Sequence, residues 1–227
     1  LLVPVDILDP DVAEAAFARA LALARRDRAT LTVASVVPAW PDDLARTPSD
    51  YEPQLNAWVD ARRGGTRVGV ELKVGGSIAA RLQEAIRETG ADLVVMASHN
   101  PRITDYLIGS NAAHLALHAP CSVLVHRGTA VPAEPFRHIL VPVDLDHPQA
   151  SAKAMAHAQA LAREGEGRLT AISIAATIAD DMAGSPPDYQ AKLDRYVAGV
   201  EGEPKPEGEL RIAGSVSGEV RYYAQES

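Results

Sequence analysis

Three adjacent residues, Gly109, Ser110 and Asn111, combine backbone freedom, a hydroxyl and an amide at the predicted start of a helix. The first N–H groups of that helix, including the one of Ala112, have no partner within it, and the helix dipole makes this end positive. A phosphate placed there gains charge-assisted hydrogen bonds. The same pattern also suits a serine that caps its own helix, and the residues alone do not decide between the two.

The loop before this helix carries further candidate contacts. Ala97 is small where a backbone must approach a ligand closely, and Asn100 adopts the left-handed conformation nearly as readily as glycine. Arg102 can bind a phosphate with two parallel hydrogen bonds, although a solvent-exposed loop arginine is an equal alternative. The stretch 97–109 has no lysine, and the chain contains no GxxxxGK[ST] motif, so nothing indicates a P-loop.

A second group of candidates stands at the ends of apolar runs near the N-terminus. Asp6 follows one such run, and its carboxylate can accept a hydrogen bond from a ligand. Pro4 and Val5 would line the same pocket, and Val36 would offer backbone groups and an apolar edge to that ligand. From the residues alone, a turn or helix-capping role is favoured for Asp6, and an ordinary core role stays open for Val36.

These residues need a fold that brings strand ends together, and the chain alternates strand-like and helix-like stretches. The strand-like runs are almost continuously apolar, which is typical of strands buried on both faces. The predicted strands span 1–6, 29–37, 67–74, 91–98 and 121–127. One helix follows Asp9-Pro10, with Asp9 as its cap, and the others span 50–62, 77–90 and 110–118, with Ser77 as the cap and Gly90 as the stop of the helix at 77–90. The sequence therefore predicts an α/β fold with an open, mainly parallel five-stranded sheet flanked by helices, and with ligands at the carboxyl ends of the strands.

The chain repeats itself with an offset of 138 residues. The motif LVPVD at 2–6 recurs at 140–144, and SDYEPQLNAWV at 49–59 matches PDYQAKLDRYV at 187–197. Several segments share the offset without insertion, so we interpret the chain as two copies of one domain.

The repeat sets the expected domain organisation. The second domain has no counterpart of residues 90–127, so we expect its sheet to lack strands unless further residues or another chain supply them. The predicted boundaries are 1–128 for the first domain, 129–137 for a linker rich in proline and small residues, and 138–227 for the second domain.

Several segments resemble the universal stress protein family. LLVPVD resembles its opening strand, VGGSIAARLQEAIRETGADLVVMASH its third helix and fourth strand, and GSNAAHLALHAPCSVLVHR its closing helix and strand. The resemblance covers residues 1–127 and what is present of 138–227, so the chain is similar to a tandem universal stress protein. It implies the Rossmann-like fold of adenine nucleotide α-hydrolase-like proteins for both copies.

The loop of the first copy departs from the usual nucleotide signature of that family. Ala97 and Asn100 replace two glycines, and the spacing to Gly109 and Ser110 is one residue shorter. The pattern ASH-x-P-x-IT-x-YL-x-GSNAA resembles the F/G-type branch, which has the same shortened loop and is associated with adenine nucleotides. The resemblance therefore implies a functional nucleotide site in which Ala97 and Asn100 replace two glycines and the loop is one residue shorter.

The resemblance implies ATP or AMP as the ligand, with Mg²⁺ as a further candidate, and it favours nucleotide contact for Asp6. Met96 and His99 fall at contact positions of the family, although His99 can also hydrogen-bond loop backbone. The implied nucleotide-binding residues are Pro4, Val5, Asp6, Val36, Met96, Ala97, His99, Asn100, Arg102, Gly109, Ser110, Asn111 and Ala112.

The expected function is that of a nucleotide-binding sensor or signalling module in the stress response. No catalytic constellation stands out, so we do not expect a dedicated enzyme. Two alternatives stay open. One is a module without nucleotide that serves dimerisation and partner docking, and the other is a protein that slowly hydrolyses ATP or phosphorylates itself.

Composition and charge exclude several classes of partner. The 227 residues carry a net charge of −8, which argues against a nucleic-acid-binding face and a polybasic membrane anchor. Cys121 is the single cysteine, so no internal disulfide forms, and we expect a reducing, cytoplasmic compartment. There is no apolar run of the length, about 18 residues, that a transmembrane helix needs.

Two further features are open to structural interpretations. The strand at 121–127 should lie at a sheet edge, where it can pair with another edge to give a homodimer or an intrachain pseudo-dimer, as is common in the family. His114 and His118 have the i, i+4 spacing of zinc ligands and His126 follows, but the glutamate of HExxH is absent, so surface histidines are favoured. For Cys121, the role of a small apolar residue is favoured.

Overall fold

A computed structural model describes residues 1–39, 47–98, 110–127, 136–176 and 185–226. The chain divides into two separately packed units, Leu1–Pro132 and Ala133–Ser227. The division falls within the segment that the sequence assigns to a linker.

The first unit is built on a parallel sheet of five strands. Residue Leu2 pairs with Thr32 on one side and with Val94 on the other, so the first strand of the chain lies at the centre of the sheet. The strands are β1 (Leu2–Pro4), β2 (Leu31–Val37), β3 (Val68–Val74), β4 (Leu93–Ala97) and β5 (Ser122–His126), in the order β3-β2-β1-β4-β5. The predicted fold class is confirmed for this unit.

Helices cover both faces of this sheet. They are α1 (Glu14–Asp27), which follows a 3₁₀ turn at Pro10–Ala13, α2 (Tyr51–Arg62), which follows a 3₁₀ turn at Pro48–Asp50, α3 (Ile78–Thr89) and α4 (Ser110–His118). The ends of α3 are those that the sequence predicts. The Ser77 hydroxyl accepts a hydrogen bond from the Ala80 N–H at 3.2 Å, and Gly90 ends the helix with φ at 62°. Asp9 was expected to cap the first helix, but its side chain makes no capping hydrogen bond.

Two apolar cores hold these layers together. Phe17, Leu55 and Trp58 join α1 and α2 to one face of the sheet. Leu82 of α3 and Leu115 of α4 pack on the other face. Because only 4% of the residues are aromatic, small aliphatic side chains fill most of the space and bring the helices close to the sheet.

The second unit has a parallel sheet of three strands in its described part. The strands are β6 (His138–Pro142), β7 (Arg168–Ala176) and β8 (Glu207–Ala213), in the order β6-β7-β8. The helices are α5 (Pro148–Gly165), α6 (Pro186–Gly199) and α7 (Val216–Glu226). Three strands are what the sequence allows when the counterpart of residues 90–127 is absent.

The 138-residue offset seen in the sequence also relates the two backbones. Leu2 pairs with Thr32 and, 138 residues later, Leu140 pairs with Thr170. The second helix of each unit begins with a capping box at equivalent positions, Thr47 with Asp50 and Ser185 with Asp188. Equivalent residues of the two units can therefore be compared directly. None of the helices in the described part of the chain has the length and apolarity needed to cross a membrane.

Candidate functional site

The strand order of the first sheet reverses beside β1. The chain passes from β1 to β2 and β3 on one side, and β4 then returns to the other side of β1. In open parallel sheets such a reversal leaves a crevice beyond the carboxyl ends of the strands. A cleft of about 320 Å³ occupies this place, within the ~300–1,000 Å³ usual for small-molecule sites. We call it the strand-end cleft.

The strand-end cleft brings together every predicted site residue within the described part of the chain. Strand β1 and the residues after it contribute the first three, β2 the fourth, β4 the next two and the first turn of α4 the rest. They are Pro4, Val5, Asp6, Val36, Met96, Ala97, Ser110, Asn111 and Ala112. Residues from both ends of the first unit thus line one cavity.

The other four predicted residues are His99, Asn100, Arg102 and Gly109. They lie outside the described residues. Their contacts with a nucleotide stay predictions from the sequence.

Asp6 stands at the mouth of the cleft with an exposed side chain. Its Oδ1 accepts a hydrogen bond from the Leu8 N–H at 3.0 Å, and its carbonyl oxygen accepts one from the Asp9 N–H at 3.0 Å. The carboxylate therefore has the turn role that was the alternative to ligand binding. Its Oδ2 accepts no hydrogen bond from another described residue, so the turn role leaves one oxygen for a ligand.

The walls of the cleft are apolar. Val5, Ala34 and Met96 are buried along the strands, and Leu82 is buried on α3. Ile78, at the start of the same helix, remains 45% exposed at the rim. An apolar slot with an uncovered isoleucine at its rim has the lining that a flat ring of a ligand would cover.

The polar groups of the cleft differ in the charge that they favour. The described lining contains two carboxylates, Asp6 and Asp9, and no lysine or arginine. Helix α4 has nine residues, and its first N–H groups at Ser110 and Asn111 have no partner within the helix. An anionic group of a ligand is therefore favoured at α4 and disfavoured near the two carboxylates.

Six residues that line the strand-end cleft were not predicted from the sequence as site residues. Alternation along a strand and the i, i+4 rule along a helix were available signals, because Ala34 shares a face of β2 with Val36, and Ile78 and Leu82 lie one turn apart after the Ser77 cap. The six are Asp9, Val12, Ala13, Ala34, Ile78 and Leu82.

The structure also shows where the histidines of α4, Cys121 and strand β5 lie. His114 and His118 are exposed on α4 with ring centroids 4.6 Å apart. No group of three or more potential metal ligands occurs within the described part of the chain. Cys121 is partly buried against the core that includes Leu115. Strand β5 lies at the edge of its sheet, and the dimer expected through that edge stays a prediction.

The second unit places Asp144 where the first places Asp6. Its Oδ1 accepts a hydrogen bond from the Asp146 N–H at 2.9 Å, and its Oδ2 lies 3.0 Å from Nδ1 of His147. The hydrogen bond from His147, and then the backbone bonds, lower the pKa of Asp144. Both of its oxygens are thus engaged within the turn, unlike those of Asp6.

The comparisons with known proteins agree on one family. The model of the universal stress protein family matches residues 1–127. Universal stress protein G of Shigella flexneri is 46% identical over 52 residues, a segment that spans 23% of this chain and 37% of that relative. Universal stress protein G of Salmonella typhimurium is 29% identical over 140 residues, which cover 56% of this chain and 97% of that protein.

Solved structures extend the comparison to nearly the whole chain. A protein from Pseudomonas aeruginosa UCBPP-PA14 aligns over 99% of this chain and 77% of its own, with 19% identity and a TM-score of 0.71. At this level of identity the likeness shows a shared fold.

Proposed function

The chain belongs to the universal stress protein family, and from this we propose that its first unit is a stress-response module that binds an adenine nucleotide in the strand-end cleft. One observation carries the proposal: nine predicted contact residues, scattered along the first unit, line a single cavity at the point where the strand order reverses. The segment matched by the family includes the whole cavity.

The nucleoside fits the apolar part of the cleft. A purine ring needs flat apolar walls and a few polar groups at its edge. Val36, Met96 and Leu82 supply such walls, and Ala34 and Ala97 leave room because their side chains are short. The free Oδ2 of Asp6 is an acceptor for the adenine amino group or a ribose hydroxyl.

The phosphates fit the other end. The N–H groups that open α4 and the Ser110 hydroxyl are donors for phosphate oxygens. Asp6 and Asp9 repel a phosphate placed beside them, which favours the α4 amides as the phosphate site. Arg102 and Mg²⁺ are the further candidates for neutralising phosphate charge.

Calorimetric titration of the full chain with ATP, AMP and adenosine tests the proposal. We expect one nucleotide per chain and about tenfold weaker binding for Asp6→Asn, equivalent to about 1.4 kcal/mol. Asparagine keeps an oxygen for the Leu8 N–H, so the turn survives, and its NH2 group replaces the Oδ2 acceptor, so the titration measures the loss of that acceptor.

Asp144→Asn is the matched control, because it makes the same change at the equivalent position of the second unit. We expect it to change nucleotide affinity less than twofold. If millimolar nucleotide gives no heat of binding and does not stabilise the protein against heating, the proposal is wrong and a module that works without nucleotide is favoured. An equal loss in both variants would place the site elsewhere.

A further inference from the structure

A second cavity, of about 450 Å³, lies between α5 and α6 of the second unit. We call it the α5–α6 groove. Met155 and Ala152 of α5 and Tyr196 and Val200 at the end of α6 give it an apolar lining. It is separate from the strand-end cleft, which lies wholly in the first unit.

The equivalent place in the first unit is filled by side chains. Phe17 packs edge-on against Trp58 with ring centroids 5.1 Å apart, and the Arg62 guanidinium lies 4.6 Å from the Trp58 ring. Arg62 also lies 3.7 Å from the Asp11 carboxylate and 3.5 Å from that of Glu14. An aromatic ring, a cation and two anions thus close the space between α1 and α2.

The second unit has none of these five side chains at the equivalent positions. With the 138-residue offset, Phe17 becomes Met155, Trp58 becomes Tyr196 and Arg62 becomes Val200. The two carboxylates become Gln149 and Ala152. The aromatic filling is therefore smaller, and both the cation and its partners are gone.

Gly199 gives independent support for an open groove. A β-carbon added at this position would have no other atom within 4 Å, and Gly199 is one of the lining residues. Its counterpart in the first unit is Ala61. The groove is open because small side chains line it, and a larger side chain at Gly199 would enter it.

The polar groups of the groove indicate what kind of ligand it suits. The Gln159 side chain is only 6% exposed, and its Nε2 donates to the carbonyl oxygens of Glu201 at 3.0 Å and Pro204 at 3.3 Å. This holds the amide in place and leaves its oxygen available. Burial raises the pKa of the Tyr196 hydroxyl, which keeps it a neutral donor.

Two charged residues line the groove, Arg195 and Glu201. Arg195 makes no ion pair with another described residue, which leaves its guanidinium for an anionic group. The acidic pair that holds Arg62 in the first unit has no counterpart here. The opposing charge is the exposed carboxylate of Glu201, whose removal therefore belongs in the test.

We propose that the α5–α6 groove binds a small aromatic molecule that carries an anionic group, with the ring beside Tyr196, in the space that the larger Trp58 and the Arg62 guanidinium fill in the first unit, and the anion at Arg195. Aromatic carboxylates and sulfonates are the matching class. This site is independent of nucleotide binding in the strand-end cleft.

The probe for the test is 8-anilinonaphthalene-1-sulfonate, titrated into the full chain and followed by fluorescence. We expect one saturable site with a dissociation constant below 1 mM, and at least tenfold weaker binding for Gly199→Leu. Ala61→Leu, the same change at the equivalent position of the first unit, should leave the probe site intact. If Gly199→Leu fails to fold by circular dichroism, Val200→Arg fills the same groove by introducing the arginine that the first unit has at the equivalent position, Arg62.

A charge comparison tests the anionic part of the proposal. Arg195→Gln should weaken the sulfonate probe at least fivefold and leave the neutral probe N-phenyl-1-naphthylamine unchanged, whereas Glu201→Gln should not weaken either probe. Equal loss of both probes in Arg195→Gln would overturn the role of the anion.

Three further results would overturn the site itself. These are no saturable binding below 1 mM, full binding in the folded Gly199→Leu variant, and complete displacement of the probe by AMP, which would place the probe in the strand-end cleft. The reciprocal double variant Trp58→Tyr with Arg62→Val should open the first unit and add a second probe site. Its failure to do so would contradict the comparison between the units.

Discussion

Asp6 and Asp144 end the same LVPVD motif but have different hydrogen-bond partners. Asp6 uses one oxygen in a turn with Leu8, while Asp144 uses both, with Asp146 and His147. The difference comes from one position, because His147 stands where the first unit has Asp9. A histidine donates to a carboxylate, and an aspartate does not. The LVPVD motif alone therefore does not give its two aspartates the same hydrogen-bond partners.

The pKa of Asp144 tests this difference. We expect His147→Ala to raise the pKa of Asp144 toward its ordinary value, although not fully, because the backbone N–H donors remain. Carboxyl NMR titration measures it. Asp188 is the control, because the Ser185 hydroxyl lowers its pKa independently of His147. An unchanged pKa of Asp144 would show that the histidine is not the main cause.

The pH dependence of stability follows from the same direction of shift. A carboxyl whose pKa is depressed by folding stabilises the fold above its unfolded pKa of about 3.9, and this contribution is lost as pH falls through the folded value. The effect is small, because Asp144 is exposed and solvent screens its partner. We therefore expect His147→Ala to be slightly less stable than wild type above about pH 4, and the difference to disappear as pH falls below that value.

Local signals predicted residue roles well when the signal lay within a few positions. The Ser77 cap and the Gly90 stop of α3 depend on adjacent backbone, so the sequence contains what determines them. Asp9 was assigned as a cap but contributes to the cleft instead, because a 3₁₀ turn precedes α1. The i, i+4 spacing places Ile78 and Leu82 on one face of α3, but where that face lies over the sheet is tertiary information that no local pattern contains.

At the scale of elements, the first turn of α4 is the part of the strand-end cleft most open to test. Ser110→Pro removes one N–H and the Ser110 hydroxyl, both proposed phosphate donors, at the first helical position, where proline is tolerated and the helix stays in place. If phosphates bind these amides, ATP affinity falls about tenfold and adenosine affinity stays within twofold. Calorimetry with both ligands measures it, and equal losses would contradict phosphate binding at α4.

The packing of α4 makes a second prediction at this scale. Leu115 is fully buried, so Leu115→Ala should cost about 2–5 kcal/mol of unfolding free energy. Leu117 on the same helix is 78% exposed, so Leu117→Ala should change stability by less than about 0.5 kcal/mol. Urea denaturation compares the two, and similar losses would mean that α4 is not held by its buried face.

Element types followed from the sequence more closely than element bounds. The strand expected at 1–6 is β1, Leu2–Pro4, and the helix expected at 50–62 begins at Tyr51 after a 3₁₀ turn. Apolar runs and caps predict which kind of element forms. Bounds depend on where a neighbouring strand stops offering hydrogen bonds, as at the turn around Asp6, and that information is tertiary.

At the scale of the whole molecule, each unit has its own apolar core. Leu55 and Leu193 are equivalent residues, and both are fully buried. Leu55→Ala should lower the unfolding temperature of the first unit, and Leu193→Ala that of the second, each by the amount that ~2–5 kcal/mol of lost core packing gives.

Two observables separate the units in this experiment. Both tryptophans, Trp40 and Trp58, belong to the first unit by sequence, so their fluorescence reports its unfolding, while calorimetry records all transitions. Leu193→Ala should leave the fluorescence transition where it is in wild type. A single transition that both variants shift equally would show that the two units unfold together.

The sequence predicted the fold class and the likeness of the two units, because apolar periodicity and the 138-residue offset extend over long stretches. The sequence shows which side chains differ between the units, but not how these differences change the packing. Val200 and Arg62 are equivalent positions, but only the packing around Trp58 shows that one closes a space and the other leaves it open.

The central position of β1 has a consequence for protein synthesis. Leu2 finds its second strand partner at Val94, 92 residues later in the chain. At about 5–20 residues per second, a ribosome takes roughly 5–18 s to make that segment. In the second unit each described strand pairs with the next one along the chain, as His138 does with Arg168. The nascent first unit therefore carries a half-paired apolar strand for seconds, during which that strand is exposed to chaperones and to aggregation.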